Sequence, residues 1–520
     1  MLTTPDIQPK ARLGETTRML LLFGGLGAVA FVFLASTLSL GINHDAASFL
    51  VVAQRWLEGY WPYVGTFDNK PPLFYLLMLP TCLLSLVTGA ALALAVSWAA
   101  WCGALGVALY ALLRRLGVSV YGAAFAAIAV TILSANPQLS EGGGYSETPA
   151  SVFLVLACWL ALCPGNRSSL AAGLCFGASV SISTFVIPFG VLVAASFWLS
   201  QHQFSFWLRA GLWAIAGATL LIISEVAILA LTGTLGTAIY DVVDYNRAYL
   251  LIQPCSVLTE SGWPCGYSPL ANLWSVGGSV VAWSAFALLG FVLLRRQLAV
   301  IALAVLWLVL FVALIIGSGR LLPHYALVAV VPLAMLAGLG FEALRAWRHR
   351  LAKLSLLGVG LGLVFLFNAG QVLSFPRNDS WIGVSNQRSA VLAHWLQSNT
   401  SSNTPYWLWD STNTYVYLLL PRQPLDPNIN LYGLVTPGWA TLQMGSQLAC
   451  SLAGHEGLII EDVTDTRMPG LLTIGDHPHW ANVLDPVRSL VRDHYHQIGQ
   501  IDGFIIYAPF SEPAEVAGCP

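Results

Sequence analysis

Long segments without a charged residue are the feature that most restricts what this chain can form. They span residues 19–40, 118–138, 148–165, 270–294, 298–318, 321–341 and 354–372. A helix needs about 20 apolar residues to cross the hydrocarbon core of a bilayer, and each segment approaches or exceeds that length. Only 9% of the 520 residues are charged, against roughly a quarter in soluble domains. The chain is therefore predicted to be a polytopic all-α membrane protein.

Three further apolar stretches adjust the number of crossings. The stretch 170–199 is broken at Pro188 and is long enough for two tight crossings, and 210–231 makes one more with a single acid, Glu225. Residues 72–113 carry no charge and are broken by Pro80, Gly89 and Gly103, which indicates two helices. The first of these, 72–87, is predicted to be short and re-entrant. Together the segments predict about 11 to 13 transmembrane helices.

The distribution of positive charge predicts the orientation. The loops on one face carry only four basic residues: Arg55, Lys70, Arg247 and Arg320. The segments on the other face, predicted to be cytoplasmic, carry thirteen: Lys10, Arg12, Arg18, Arg114, Arg115, Arg167, Arg209, Arg295, Arg296, Arg345, Arg348, Arg350 and Lys353. Loops rich in Lys and Arg stay in the cytoplasm. The N-terminus is therefore predicted to be cytoplasmic, and the first loop (41–71), the second loop (137–147) and the later loop (232–269) lie on the other face. An odd number of crossings also places the C-terminus on that face.

The region 376–520 has the character of a soluble domain, unlike the predicted transmembrane domain of residues 1–375. Helical periodicity covers 386–397 and 481–495, and strand-like runs cover 406–409, 415–420, 457–460 and 503–507. Alternation of the two patterns predicts a small extracytoplasmic α/β domain.

Four of the nine cysteines lie in segments predicted to be extracytoplasmic. Cys255 and Cys265 share the later loop, and Cys450 and Cys519 share the C-terminal region. Even numbers of cysteines in an oxidising compartment favour disulfides. We predict the pairs Cys255–Cys265 and Cys450–Cys519.

The first loop is predicted to begin with an amphipathic helix on the membrane surface. Phe49, Val52 and Trp56 recur at helical spacing, and Asp45 falls in the first turn. A carboxylate at the membrane boundary suits a general base that takes a proton from an acceptor hydroxyl or amine. An Asp in a first turn also stabilises the positive end of a helix, so on local grounds both interpretations stay open.

Lys70 is the second candidate in the first loop. It is one of three lysines in the chain and precedes Pro71 and Pro72, which rigidify the backbone beside it. A compact ammonium at headgroup depth suits a phosphate group. A lysine that merely anchors the chain at the interface is the alternative.

Three stretches together resemble a known family. Asp45 after a first apolar span, then Gly59-Tyr-Trp-Pro-Tyr63 and Phe67-Asp-Asn-Lys-Pro-Pro-Leu73, resemble the first-loop signature of GT-C glycosyltransferases. The most similar branch contains the protein O-mannosyltransferases and the lipid A aminoarabinose transferase. Gly143-Gly-Tyr-Ser-Glu-Thr-Pro149 resembles the second acidic loop of that family, and Gly319-Arg-Leu-Leu-Pro-His-Tyr325 resembles its late R-x-x-x-H-Y segment. The chain departs from the pattern at His44-Asp45, where many relatives carry Asp-Glu.

The resemblance implies roles for the matching residues. Asp45 would be the catalytic base, and Glu147 a second acidic residue near the acceptor or the sugar. The phosphate of a lipid carrier would be bound by Lys70, Arg320, His324, Tyr63 and Arg247. A polyprenyl phosphate leaves as a stabilised anion, so the site needs cations and hydrogen-bond donors more than a proton-donating acid.

Other ionisable residues have less definite interpretations. Glu225 lies inside an apolar span, where a lone carboxylate is expensive, and either a functional role or a hydrogen bond between helices explains it. His477 with His479, and His494 with His496, would bind zinc if brought together, although a solvated surface is the favoured interpretation. The sequence identifies no certain cofactor and leaves a divalent metal open.

The function predicted from these features is an inverting glycosyltransferase of a plasma or inner membrane. Its donor would be a polyprenyl-phosphate-sugar, and its acceptor an envelope lipid, a glycan or a protein on the extracytoplasmic face. Membrane lipids are further partners, and nucleic acid is not among them. A flippase or transporter of lipid-linked sugars is the alternative, although the chain lacks the matching hydrophobic halves of inverted repeats. An inactive binding member of the same fold is a third interpretation.

Overall fold

The structure is a computed structural model that describes residues 9–201, 203–251, 297–318, 323–346, 380–410, 413–422, 424–429, 442–464, 471–472 and 478–510. A bundle of apolar helices is followed by a small sheet domain. The helices of the bundle and its loops are α1 (Pro9–Ala35), α2 (His44–Leu57), α3 (Pro72–Thr88), α4 (Ala90–Arg115), α5 (Val120–Ser134), α6 (Pro137–Ser140), α7 (Glu147–Ala161), α8 (Asn166–Val180), α9 (Gly190–Gln201), α10 (Phe204–Leu231), α11 (Leu235–Ala238), α12 (Tyr245–Leu251), α13 (Leu298–Ser318) and α14 (Val330–Ala346). Short 3-10 helices cover Leu38–Leu40, Thr184–Phe189 and Pro323–Val328, and a π-helix covers Ile239–Asp244.

Within the described residues, four helices have the length and apolar composition to cross a membrane. They are Glu15–Ala35 of α1, the whole of α4 and α10, and Leu298–Gly317 of α13. Shorter apolar helices, α3, α5 and α7 among them, pack in the same bundle. The predicted segments 270–294 and 354–372 lie outside the described residues, as does the predicted domain boundary at 375, so the number of crossings and that boundary stay predictions.

Of the three predicted breaks in residues 72–113, only Gly89 separates two helices, because Pro80 lies inside α3 and Gly103 lies inside α4. The φ of 83° at Gly89 ends α3 and begins α4, and a left-handed backbone of this kind favours glycine. The predicted break at Pro188 also appears, because α8 and α9 are separated by the 3-10 helix that contains this proline.

The sheet domain contains α15 (Ser380–Asn399), β1 (Tyr406–Trp409), α16 (Val416–Leu419), α17 (Leu442–Ala453), β2 (Leu458–Asp462), α18 (Pro478–His494), β3 (Tyr495–Ile501) and β4 (Phe504–Pro509). The strand order is β1-β2-β4-β3. Strands β1 and β2 are parallel, and β4 pairs antiparallel with both β2 and β3. The predicted α/β domain is therefore confirmed.

Two local predictions in this domain are wrong. The run 415–420 forms the short helix α16, because six apolar residues fit a buried helical turn as well as a strand. Its Tyr417 ring stacks on Tyr406 of β1 at 4.9 Å between ring centroids. The strand β3 was not predicted, since its sequence, Tyr-His-Gln-Ile-Gly-Gln-Ile, contains no continuous apolar run, and only Tyr495 is fully buried.

The helix α2 forms as predicted, and it is covered by other parts of the protein. All residues from Ala46 to Ala53 are buried. Phe49 and Val52 belong to the core of the bundle, whereas Val51 belongs to the core of the sheet domain. Val51 thus marks the side of α2 that the sheet domain covers.

Two hydrogen bonds hold the sheet domain against the first loop. The side-chain amide of Asn386 donates to the Ile42 carbonyl at 2.9 Å, and the backbone N–H of Phe67 donates to the Pro427 carbonyl at 2.9 Å. The first loop is therefore clamped between the bundle and the sheet domain at both its ends.

Candidate active site

Asn43 joins the first loop to the second loop at the start of α2. Its side-chain oxygen accepts a hydrogen bond from the Ala46 amide at 2.8 Å, which caps the helix. Its side-chain nitrogen donates to the Gly143 carbonyl at 2.9 Å and to the Glu141 carbonyl at 3.2 Å. Gly144, with φ 105°, packs so closely on Ala46 that an added Cβ would overlap its methyl group. The first turn of α2 is thus held in place by the second loop.

Asp45 lies in this held turn. Its carboxylate is 3.4 Å from the His44 imidazole, and 22% of its side chain is exposed. A carboxylate that is fixed at its backbone yet open to solvent can receive a proton from an incoming group. The geometry is therefore compatible with the predicted role of a base.

Lys70 and Glu147 form an ion pair across the site. The Lys70 ammonium lies 4.0 Å from the Glu147 carboxylate. Glu147 begins α7 and is 1% exposed, and one of its oxygens has no hydrogen-bond partner among the described residues. The Lys70 ammonium also lies 5.8 Å from the ring centre of Phe49 in α2. Helix α2 thus presents an aromatic ring, and helix α7 an acid, to the same ammonium.

The backbone of Lys70 is supported by Tyr63. The Tyr63 hydroxyl donates to the Lys70 carbonyl at 2.7 Å, and Tyr63 itself has a φ of 72°. A positive φ is costly for a bulky residue and persists only where the surroundings determine it. Tyr63 therefore positions Lys70, a role that the sequence did not indicate.

His324 completes the group. Its ring stacks on Tyr145 of the second loop at 4.1 Å between ring centroids. Burial lowers the pKa of His324, although the nearby carboxylates of Glu147 and Asp45 act in the opposite direction. Burial therefore favours the neutral form of the imidazole. Asp45, Lys70, Glu147 and His324, which are far apart in the chain, lie within electrostatic range of one another, and we call them the site group.

Two further carboxyl groups lie beside the site group. Burial raises the pKa of Asp68 to about 6, partly offset by Lys70. Burial and the charge of Asp68 raise the pKa of Asp241 to about 8. Asp68 lies in the first-loop motif and Asp241 in the later loop, and neither has a role predicted from the sequence. The signal available was their position, since Asp68 stands two residues before Lys70.

The later loop is attached to the first loop next to Lys70. The Asn246 side chain donates to the Asn69 carbonyl at 2.9 Å and to the Val242 carbonyl at 2.7 Å. Arg247, a predicted phosphate ligand, follows on α12 and is exposed. Its backbone is thus close to the site group, while its predicted contact with phosphate is not tested.

Other predicted site residues fall partly outside the described chain. Arg320, Cys255, Cys265 and Cys519 lie outside the described residues. Cys450 is disulfide-bonded, and the remaining described cysteines are free: Cys82, Cys102, Cys158, Cys163 and Cys175. The two predicted disulfide pairings therefore stay predictions.

The described residues contain no cluster of three or more His, Cys, Asp or Glu side chains that could hold a metal ion. Of the histidine pairs considered for zinc, His477 lies outside the described residues.

No family model and no curated protein matches this chain. Solved structures do match it. The chain is similar to ArnT from Cupriavidus metallidurans bound to undecaprenyl phosphate, with a TM-score of 0.55, 12% identity, and coverage of 96% of this chain and 99% of that one. It is also similar to ArnT from the same organism in the apo state, with a TM-score of 0.52, 12% identity and the same coverage.

ArnT is the lipid A aminoarabinose transferase, a GT-C glycosyltransferase. The match extends over the bundle and the sheet domain alike, as its coverage requires. At 12% identity it establishes the fold and no more than the fold. The resemblance indicated by the first loop is confirmed at that level, and this chain is a polytopic membrane protein with the GT-C fold of ArnT.

Proposed function

We propose that this protein transfers a sugar from a polyprenyl-phosphate-sugar to an acceptor, with inversion at the anomeric carbon. The observation that carries the proposal is the site group, in which a partly exposed carboxylate and an ammonium of the first loop lie within electrostatic range of a buried acid and a buried imidazole. The ArnT structure with undecaprenyl phosphate, which has the same fold, supports a lipid phosphate as the carrier.

In the proposed reaction, an acceptor hydroxyl or amine attacks the anomeric carbon on the face opposite the phosphate. The bond between that carbon and the phosphate oxygen breaks, and its electron pair goes to the oxygen. Asp45 takes the proton that the acceptor loses. Lys70 neutralises the charge that develops on the departing phosphate. Arg320 and Arg247 are proposed as additional cations for that phosphate.

Glu147, His324 and Tyr63 support this chemistry in different ways. At 4.0 Å from the Lys70 ammonium, Glu147 holds the cation toward the site without enclosing it. The imidazole of His324 has a ring N–H that can donate to phosphate or sugar oxygen. Tyr63, first expected to bind phosphate, acts in this proposal through the Lys70 backbone.

The proposed location is a plasma or inner membrane, with the site group on the extracytoplasmic face and an envelope lipid, glycan or protein as acceptor. The partition of Lys and Arg residues supports that orientation. Single cysteines introduced at Ser401 and Arg350 test it with an impermeant thiol reagent. We expect intact cells to label only position 401, and labelling of both positions would overturn the topology.

The substitution Asp45→Asn tests the proposed chemistry. Asn keeps the shape of Asp but cannot accept the proton, so transfer should fall by about 10²- to 10⁴-fold. Binding of undecaprenyl phosphate and thermal stability should stay near wild type. The matched control is Glu58→Gln, which changes an exposed acid at the other end of α2.

The assay uses purified protein in vesicles with a panel of labelled undecaprenyl-phosphate sugars, with and without a chelator to test for a metal requirement. Transfer by Asp45→Asn at the wild-type rate would remove Asp45 from the mechanism. Movement of the lipid-linked sugar across the vesicle membrane without transfer by the wild type would favour a flippase instead.

A further inference from the structure

Glu225 is the only acidic residue of α10, an apolar helix of 28 residues. Isolated carboxylates inside membrane helices are costly, and those that occur usually face a bundle interior or a water-filled cavity. The roles proposed above make no use of Glu225. The presence of this carboxyl group in an apolar helix therefore needs an explanation.

Close packing of α8 on α10 determines where Glu225 points. A Cβ added at Gly173 would overlap the Ala214 carbonyl, and one added at Gly177 would lie 3.1 Å from the Ala218 Cα. Positions 214, 218 and 225 fall on one face of a helix with 3.6 residues per turn. Glu225 thus continues the face of α10 that packs on α8, just past the point where α8 ends at Val180.

A serine hydroxyl lies beside the carboxyl at that end. The Ser181 hydroxyl contacts one side of it, and Oε1 of Glu225 is buried with no hydrogen-bond partner among the described residues. Ser181 and Ser183 are both buried. The carboxyl therefore retains acceptor capacity that the described protein groups do not use.

The end of α8 lies within the thickness of the membrane. Its 15 residues span only about 22 Å, less than the roughly 30 Å of a hydrocarbon core. From Glu225, α10 continues for six residues to Leu231, or about 9 Å. Non-helical backbone at such a depth is tolerated only when protein buries it or when it lines a polar cavity.

This polar region adjoins the site group. In the 3-10 helix after Ser183, Phe185 stacks on Tyr325 at 5.0 Å between ring centroids, and Tyr325 is the neighbour of His324. Burial raises the pKa of Tyr63, and the carboxylates of Asp68, Asp241 and Glu225 raise it further. Glu225 is thus within electrostatic range of the residue that supports Lys70.

We propose that Glu225, together with Ser181, binds hydroxyl groups of the donor sugar on the membrane side of the site group. The inference rests on the proposed glycosyl transfer and assigns a residue that determines which sugar is accepted. A carboxylate repels the carrier phosphate but accepts hydrogen bonds from uncharged hydroxyl groups, and a serine hydroxyl can both donate and accept them. A sugar has several such hydroxyls in a small volume.

The test combines Glu225→Ala and Glu225→Gln with changes in the donor. The wild type is assayed with a panel of undecaprenyl-phosphate pentoses and hexoses, and then with monodeoxy analogues of its best substrate. We expect one monodeoxy analogue to react about 10- to 100-fold more slowly than the parent sugar, the range expected for a hydrogen bond to a charged group. Glu225→Ala should slow the parent sugar by a similar factor and abolish the difference between the two donors. This non-additivity is the signature of a direct contact.

Ser224→Ala is the matched control, because Ser224 is exposed on α10 and its hydroxyl bonds the Leu220 carbonyl of the same helix. It should leave both donors unaffected. A Glu225→Ala variant that slows all donors equally, or none, would overturn the inference while transfer by the wild type stands. If the wild type transfers no sugar, the proposed function fails instead. In that case, the affinities of the wild type and of Glu225→Gln for the parent and the deoxy donor, measured without turnover, still test the contact. If the ratio of the two affinities is the same in Glu225→Gln as in the wild type, the contact is refuted.

Discussion

The substitution Lys70→Met tests the phosphate site most directly. Met keeps the length and apolar character of the lysine stem, so the contact with the Phe49 ring is largely retained, while the ammonium is lost. Two unit charges about 4 Å apart attract by roughly 4 kcal/mol at an effective dielectric constant of about 20. Because water competes for both partners, a charged hydrogen bond contributes only about 1.5–3 kcal/mol net. Affinity for a lipid phosphate should therefore fall by about 10- to 150-fold.

The assay compares the dissociation constants of undecaprenyl phosphate and undecaprenol for purified protein in detergent. Only the phosphate-bearing lipid should lose affinity, because both lipids share the same tail. Lys70→Met also removes the ammonium that lies 4.0 Å from the buried Glu147 carboxylate. The double variant Lys70→Met/Glu147→Gln therefore controls for the carboxylate charge that is left without a partner. The reasoning is refuted if the ratio of the two dissociation constants is unchanged in a normally folded Lys70→Met protein.

Three further predictions concern single residues. Gly144→Ala combines a positive φ with a Cβ that overlaps Ala46, so unfolding in detergent should become easier by about 2–4 kcal/mol; an unchanged melting temperature contradicts this. The pKa of Asp241 is raised from 3.8 to about 8, so the folded state holds this proton more tightly than the unfolded chain does. The stability that the protonated group contributes is fully present below about pH 4 and is lost as the pH rises through about 8. Asp241→Asn should therefore gain stability relative to the wild type across that interval, and a difference independent of pH would be inconsistent with the raised pKa. Arg388→Met leaves the buried carboxylate of Asp462, to which Arg388 donates at 2.6 and 2.8 Å, without its cation; the expected loss is about 3 kcal/mol, and thermal unfolding of the full chain measures it.

Local patterns in the sequence predicted much of the bundle. Uncharged length identified the apolar helices, and helical spacing identified α2 with Asp45 in its first turn. Patterns of this kind depend only on residues that are close in the sequence, so they can be recognised before the fold is known. The surroundings of a helix depend on tertiary packing instead, and no local pattern indicates that the sheet domain covers Val51 of α2.

The active site depended more on the resemblance than on physical patterns. Glu147 stands 77 positions after Lys70, and no local periodicity indicates that the two form an ion pair. The stacking of His324 on Tyr145 has the same origin in tertiary packing. The burial that raises the pKa of Asp68 and of Asp241 is likewise a result of tertiary packing, although the position of Asp68 beside Lys70 is visible in the sequence. Sequence reasoning thus found several members of the site and could not derive how they are arranged.

The hydrogen bond between Asn386 and Ile42 joins residues 344 positions apart. A ribosome that adds about 5–20 residues per second needs roughly 17–70 s to extend the chain from one to the other. During that interval the first loop is already made, yet its partner in the sheet domain does not exist. Each newly made molecule therefore passes through a period in which its lipid-facing helices are in place while the clamp on the first loop is missing. Quality control acting in that window would encounter an unpaired Ile42 carbonyl and an uncovered Val51, which are hidden in the finished protein.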